Sequence, residues 1–112
     1  MDLQSTYHND MNIITVAEAR IDAAAAIRFK DKMRDVTSQG PAHIVLDLSN
    51  VTFVDSSGLG AIVAAMKQLS GDQRLDLAGL TPDVAKVFRL TRMDTVFVIH
   101  DDIIALKARA TG

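Results

Sequence analysis

The sequence predicts an α/β fold in which a mixed, largely parallel sheet of about five strands is covered by about four helices. Short apolar or alternating runs recur along the chain, and they are separated by longer segments with helical periodicity. Gly, Pro, Asn, Asp or Ser marks each change of pattern. The order is β-β-α-β-α-β-α-β-α, and strands that alternate with helices pair mostly in parallel through right-handed crossovers. At 112 residues, we expect a single domain over 1–112.

The first third of the chain predicts a hairpin followed by a helix. Residues 3–8 alternate weakly, Asn9-Asp10 offers a turn, and 11–17 give a second strand. Asp22 is a suitable cap for a helix from Ala23 to about Ser38, which Gly40-Pro41 stops. The residues expected on its buried face recur at helical spacing: Ala26, Phe29, Met33 and Val36.

The middle of the chain predicts a buried strand and a second helix. Residues 43–48 form a β-branched run typical of a central strand, and 51–54 continue as extended chain. The second helix is expected from about Ser57 to Ser70. Its apolar stripe comprises Leu59, Ile62, Val63, Met66 and Leu69, and its small face comprises Ala61, Ala64 and Ala65.

The last third predicts two further strands and two further helices. Residues 74–80 alternate, and Thr81-Pro82-Asp83 then provide a cap, a first-turn proline and an acid for a short helix. We expect a last strand over 95–99 and a final helix within 101–110. The apolar residues that would dock these two helices are Val84, Val87 and Phe88, and Ile103, Ile104 and Leu106.

Composition restricts the function. The chain has no cysteine, which excludes disulfides, iron–sulfur clusters and thiolate zinc sites and fits a reducing compartment. Twelve Lys and Arg residues are scattered among fourteen Asp and Glu residues, so nucleic acid is not an expected partner. The apolar run at 61–66 is far shorter than the ~20 residues that span a bilayer, and no export signal precedes it. We expect a cytoplasmic protein without membrane insertion.

The candidate site is the polar turn at 55–60. Asp55, Ser56 and Ser57 lie between an apolar strand and a helix, where Asp and Ser accept hydrogen bonds from free N–H groups. An ordinary helix cap explains one such side chain, and three are present. Gly58 and Gly60 have no side chains, so they would not block the approach of another protein to these polar groups. Two hydroxyls at the positive end of a helix could receive an anion or a covalent phosphate.

Catalytic and metal sites are not predicted. A nucleophile elbow needs Gly two residues before its serine, but Val54 precedes Ser56 and Asp55 precedes Ser57 at that distance. The Lys of a phosphate-binding P-loop is also missing. The three histidines, His8, His43 and His100, lie near predicted strand ends as edge or surface residues, and Asp101-Asp102 suit a first helical turn. We therefore expect no enzyme activity, no cofactor and no metal.

Residues 46–60, LDLSNVTFVDSSGLG, resemble the signature of STAS domains, specifically the stand-alone anti-sigma factor antagonists of bacteria. Residues 20–22 before an Ala-rich helix, and 80–84 followed by Val87-Phe88, resemble other landmarks of the family, so the resemblance covers nearly the whole chain. It implies that Ser56 is phosphorylated. We expect the partner surface around it to include Asp22, Asp55, Ser57, Gly58, Leu59 and Ala64.

The resemblance also implies a partner-switching cycle. The unphosphorylated protein would bind an anti-sigma factor that is itself a serine kinase, a PP2C-type phosphatase would reverse the phosphorylation, and the oligomeric state stays open. Two departures from the family pattern are Arg20, which reverses a charge next to the expected contact surface, and Met93-Asp94 in a late loop. The alternative function is a constitutive STAS interaction subunit of a membrane-transport or signalling complex, in which Ser56 only caps the helix.

Overall fold

The protein is described by a computed structural model, which gives the backbone of residues 1–111 and the side chains of residues 1–109. The strands are β1 Leu3–His8, β2 Met11–Val16, β3 Arg20–Ile21, β4 His43–Asp47, β5 Phe53–Val54, β6 Arg74–Ala78 and β7 Ile99–His100. The helices are α1 Ala26–Thr37, α2 Ser56–Lys67, α3 Pro82–Leu90 and α4 Ile103–Thr111. The predicted α/β class is confirmed.

The main sheet has five strands in the order β1-β2-β4-β6-β7. The β1–β2 hairpin is antiparallel, and its turn places Asn9 at φ 53°, a left-handed conformation that Asn tolerates. The other neighbours pair in parallel. β4 is the central strand, as predicted, because it lies between β2 and β6.

The two faces of the main sheet carry cores of different size. The larger core joins the sheet to the first three helices through residues such as Ile14, Phe29, Leu46, Ile62 and Phe88. The smaller core lies on the other face, where α4 docks, and comprises Met11, Ile13, Val45, Ala78 and Leu106. Both faces of the central strand are therefore covered.

A separate two-stranded sheet positions the candidate site. β3 and β5 are parallel, with Arg20 beside Phe53 and Ile21 beside Val54. The sequence predicted only extended chain at 51–54 and did not predict a partner for it. A turn at residues 22–25 leads from β3 into α1, and Asp55 alone separates β5 from α2.

The predicted start of the first helix is wrong. α1 begins at Ala26, whereas Ala23 was expected. Asp22 closes a preceding turn instead, because its side chain and its carbonyl oxygen both accept from the Ala25 N–H, at 3.2 and 3.0 Å. Ala25 itself occupies the N-cap position of α1 without a side-chain hydrogen bond.

The predicted limits of α2 also shift. The helix begins one residue early, at Ser56, and ends at Lys67, whereas Ser57 and Ser70 were expected. Its most buried residues are Gly58, Ala61, Ile62 and Ala65. The small face therefore points into the core, and most of the larger stripe (Leu59, Val63, Met66 and Leu69) is only partly buried.

The last predicted strand is largely wrong. Met93–Thr95 form a 3-10 turn, and β7 contains only Ile99 and His100. Arg92 adopts a left-handed conformation with φ 61°, and the Thr95 N–H donates to its carbonyl oxygen, which curls the chain. Phe97 packs edge-on against Phe88, with ring centroids 6.1 Å apart.

The final helix forms as predicted, and Asp102 caps it by accepting from the Ala105 N–H at 2.7 Å. In the described part of the chain, no helix has the length and apolar character needed to cross a membrane.

Candidate functional site

The candidate site forms where the two short parallel strands end. Asp22 is the residue after β3 and Asp55 is the residue after β5. Because Ile21 and Val54 are register partners, the following residues leave the small sheet at the same end. The pairing of β3 and β5 therefore brings two predicted site residues, 33 positions apart in sequence, to one end of the small sheet.

Asp55 is the N-cap of α2 and uses both carboxylate oxygens. One oxygen accepts from the Gly58 N–H at 2.8 Å, which is the usual cap hydrogen bond. The other accepts from the Ala23 N–H at 3.2 Å. The side chain thus caps α2 and also ties its start to the turn that precedes α1.

Ser56 and Ser57 are the first two residues of α2, and both are exposed. Within the described residues, neither hydroxyl has a hydrogen-bond partner. The first backbone N–H groups of a helix also lack intrahelical acceptors. Because Asp55 supplies the cap, the two serine hydroxyls are available to other molecules.

Gly58 is buried and packs against the backbone of β3. A Cβ atom at this position would overlap the carbonyl oxygen of Ile21, so the helix can approach the strand only where the residue has no side chain. Gly58 was expected on the partner surface. It is buried in the structure, and its lack of a side chain lets α2 pack closely against the small sheet.

The remaining predicted residues flank this core of the site. Leu59 and Ala64 are half-buried along α2, and Asp22 is partly exposed. Asp22 also receives the guanidinium of Arg20, with Nε 3.4 Å from a carboxylate oxygen. The structure therefore places both acids at the site within a fixed hydrogen-bond pattern.

Sequence reasoning missed the contact between Arg20 and Phe53. The guanidinium carbon lies 4.0 Å from the centre of the Phe53 ring, which is 38% exposed. Such a stacked cation is typical of Arg on an aromatic face. The contact depends on the pairing of Arg20 in β3 with Phe53 in β5. Strands of two residues are too short to be recognised from the sequence, so this pairing could not be predicted.

A second polar cluster was also missed. His43 and His100, expected as separate edge or surface residues, are half-buried and both approach the buried Asp76. This is the group among the described residues whose His and acidic ligand atoms are close enough to hold a metal ion. It lies on the face of the main sheet that carries α4 and shares no residue with the site at Ser56.

Comparison with known proteins gives a consistent family. The STAS domain model matches residues 4–105. A STAS-domain containing protein of Pseudomonas aeruginosa is 30% identical over 83 residues, which cover 73% of this chain and 81% of that protein. An anti-sigma-B factor antagonist of Staphylococcus epidermidis is 21% identical, over 90% of this chain and 94% of the relative.

Solved structures show the same fold. The crystal structure of an anti-sigma factor antagonist from Mycobacterium paratuberculosis superposes with a TM-score of 0.83 at 21% identity, covering 99% of this chain and 94% of that one. The Bacillus protein SpoIIAA in its phosphorylated form gives a TM-score of 0.64 at 20% identity, with 96% and 98% coverage.

Proposed function

The chain belongs to the STAS domain family, and we propose that it is an anti-sigma factor antagonist whose binding is switched by phosphorylation of Ser56. In its unphosphorylated form it would bind a kinase-type anti-sigma factor in the cytoplasm and so release the sigma factor. The names of the S. epidermidis and M. paratuberculosis relatives support the antagonist role. The chain acts in this scheme as a ligand and a substrate, without catalysing a step itself.

The observation that carries the proposal is the free hydroxyl of Ser56. It lies at the first position of α2, exposed and without a partner in the described chain, while Asp55 already provides the helix cap. A kinase can therefore reach the hydroxyl without breaking a hydrogen bond that holds the fold. The N–H groups of the first turn and the helix dipole favour the added negative charge.

Phosphorylation would act on the partner surface by charge. A phosphoserine at position 56 adds about −1.5 to −2 charges at neutral pH, next in sequence to Asp55, whose carboxylate is tied to the turn that follows Asp22. Ser57, Leu59 and Ala64 are the accessible or half-buried residues that we assign to the same contact surface. Burying the phosphate against a partner costs desolvation, and each ~1.4 kcal/mol lowers affinity tenfold. The switch therefore changes binding and leaves the fold intact.

The test is intact-mass spectrometry after incubation with Mg-ATP and a candidate kinase-type anti-sigma factor from the same genome. We expect one added phosphate on the wild type. Ser57→Ala is the matched control, since it removes the neighbouring exposed hydroxyl of the same helical turn, and it should still gain one phosphate. Ser56→Ala should gain none, and a PP2C-type phosphatase should restore the unmodified mass of the wild type.

Binding of the anti-sigma factor should follow the modification. Calorimetric titration should show binding for the unmodified protein and a loss of at least tenfold in affinity after phosphorylation. Phosphate that persists on Ser56→Ala would refute the assignment of the acceptor. No phosphorylation, together with phosphate-independent binding to a transport or signalling component, would favour a constitutive assembly subunit.

A further inference from the structure

Three side chains from neighbouring parallel strands converge on the α4 face of the main sheet. Oδ2 of Asp76 lies 2.8 Å from Nε2 of His43 and 3.0 Å from Nε2 of His100. The three ligand atoms all lie within 4.8 Å of one another. Asp76 is 2% exposed, and the imidazoles, with 25% and 16% of their side chains exposed, connect it to the surface.

We propose that His43, Asp76 and His100 form a binding site for a divalent transition-metal ion of the Zn²⁺ class. Two imidazoles and one carboxylate leave a coordination position for water, and imidazole and carboxylate are both ordinary zinc ligands. Ligand atoms that share a tetrahedral zinc ion at the usual bond lengths lie about 3.3 Å apart. The two separations from Oδ2 of Asp76, 2.8 and 3.0 Å, need to open by about 0.3–0.5 Å to admit the ion, and the two imidazole nitrogens lie within 4.8 Å of each other.

Two polar groups lie within hydrogen-bond distance of Nε2 of His43, namely the carboxylate of Asp76 and the guanidinium of Arg74. Nη2 of Arg74 lies 3.2 Å from Nε2 of His43 and 3.4 Å from Oδ2 of Asp76. A ring nitrogen of a neutral imidazole either donates or accepts. Nε2 of His43 therefore cannot donate to Asp76 and accept from Arg74 at the same time. When His43 donates to Asp76, Arg74 donates to the same carboxylate instead of to His43. A metal ion would take the place of both donors, because it binds the lone pairs of Nε2 and the carboxylate together.

Arg74 is a competitor for the site. Its guanidinium supplies the positive charge that faces the buried carboxylate when no ion is bound, and its side chain is 63% exposed. It can therefore turn into solvent when a metal ion takes its place. Such an ion would join β4, β6 and β7 and fix the two-residue edge strand β7, which leads into α4.

The test is titration of the tag-free full chain, in chelator-free buffer, with Co²⁺ followed by visible absorption and with Zn²⁺ followed by calorimetry. We expect one ion per chain and the visible bands of cobalt with fewer than six ligands. His43→Ala and His100→Ala should each abolish the bands. His8→Ala is the matched control, because it removes the remaining histidine of the chain, and it should bind as the wild type does.

Arg74→Gln separates a metal site from a hydrogen-bonded network. Removing a like charge a few ångströms from the ion should tighten Zn²⁺ binding on the order of tenfold, after allowance for the solvent exposure of the guanidinium. A simple network would lose a partner and gain no metal affinity. The proposal is overturned by absent cobalt bands and zinc heats, by bands that survive both cluster histidine variants, or by weaker binding in Arg74→Gln.

Discussion

Two polar clusters of this protein are built in different ways. At the start of α2, the carboxylate of Asp55 accepts from backbone N–H groups, and the adjacent hydroxyls of Ser56 and Ser57 are left to solvent. On the α4 face, the hydrogen-bond partners of the Asp76 carboxylate within the described residues are side chains. Its histidine partners lie 33 and 24 residues away in sequence.

The difference teaches which kinds of substitution each cluster can tolerate. The first cluster is held by backbone hydrogen bonds and by one helix cap. It therefore depends on close packing between α2 and β3, and it should tolerate the loss of a serine hydroxyl. The second consists of side chains that meet after three strands have paired, so it depends on each side chain. Four predictions test this contrast, in order of decreasing effect on the free energy of unfolding.

The largest effect is expected for Gly58→Ala. The added methyl group would overlap the carbonyl oxygen of Ile21, and backbone on both sides must move to relieve the contact. We expect the free energy of unfolding, measured by chemical denaturation, to fall by about 3 kcal/mol or more. Gly60→Ala is the control, since its Cβ meets nothing within 4 Å, and it should stabilise the helix by up to ~1 kcal/mol. Equal effects at the two glycines would contradict close packing at Gly58.

The next largest effect is expected for Asp76→Ala. The variant leaves the half-buried nitrogens of His43 and His100 without their acceptor, and an unsatisfied buried group costs about 1–3 kcal/mol. We expect a loss of about 2–3 kcal/mol in metal-free buffer. Asp76→Asn keeps an acceptor oxygen and should lose less than half as much. If the two variants unfold at the same denaturant concentration, the hydrogen bonds do not stabilise the sheet.

The contrast also explains what the sequence could predict. The order of the main strands along the chain, the central position of 43–48 and the polar turn at 55–57 all follow from contiguous patterns of residues. Asp55 and Ser56 were predictable as a cap and an exposed hydroxyl because helix-start chemistry is local.

The features that were missed depend on distant pairing or on context. The β3–β5 pair is too short for periodicity to appear, and the cluster at Asp76 arises from the parallel register of three strands. The β-branched run at 95–99 favours a strand by residue type, but the left-handed residue Arg92 and the 3-10 turn override that preference. Such effects become visible only when the whole chain is folded.

A smaller effect is expected for Asp55→Ala. The variant removes the cap of α2 and the link to Ala23, although the hydrogen bond to the Ala23 N–H is exposed and water can replace its acceptor. We expect the free energy of unfolding, measured by chemical denaturation, to fall by about 1–2 kcal/mol. Asp72→Ala is the control, because Asp72 is exposed and has no hydrogen bond or ion pair within the described chain. A cost no larger than that of the control would show that the cap does not hold the turn.

The smallest effect is expected for Ser56→Ala and Ser57→Ala. If Ser56 were a structural cap, its loss would cost about 1 kcal/mol. Asp55 fills that position, and the serine hydroxyls make no hydrogen bond within the described chain, so each variant should stay within about 0.5 kcal/mol of wild type. We expect both variants to keep the stability of the wild type and only Ser56→Ala to lose phosphorylation. That result would show that Ser56 has a regulatory role and no structural one. If Ser56→Ala lowers the free energy of unfolding by about 1 kcal/mol or more, the hydroxyl stabilises the folded protein. That result would remove the main support for a regulatory role.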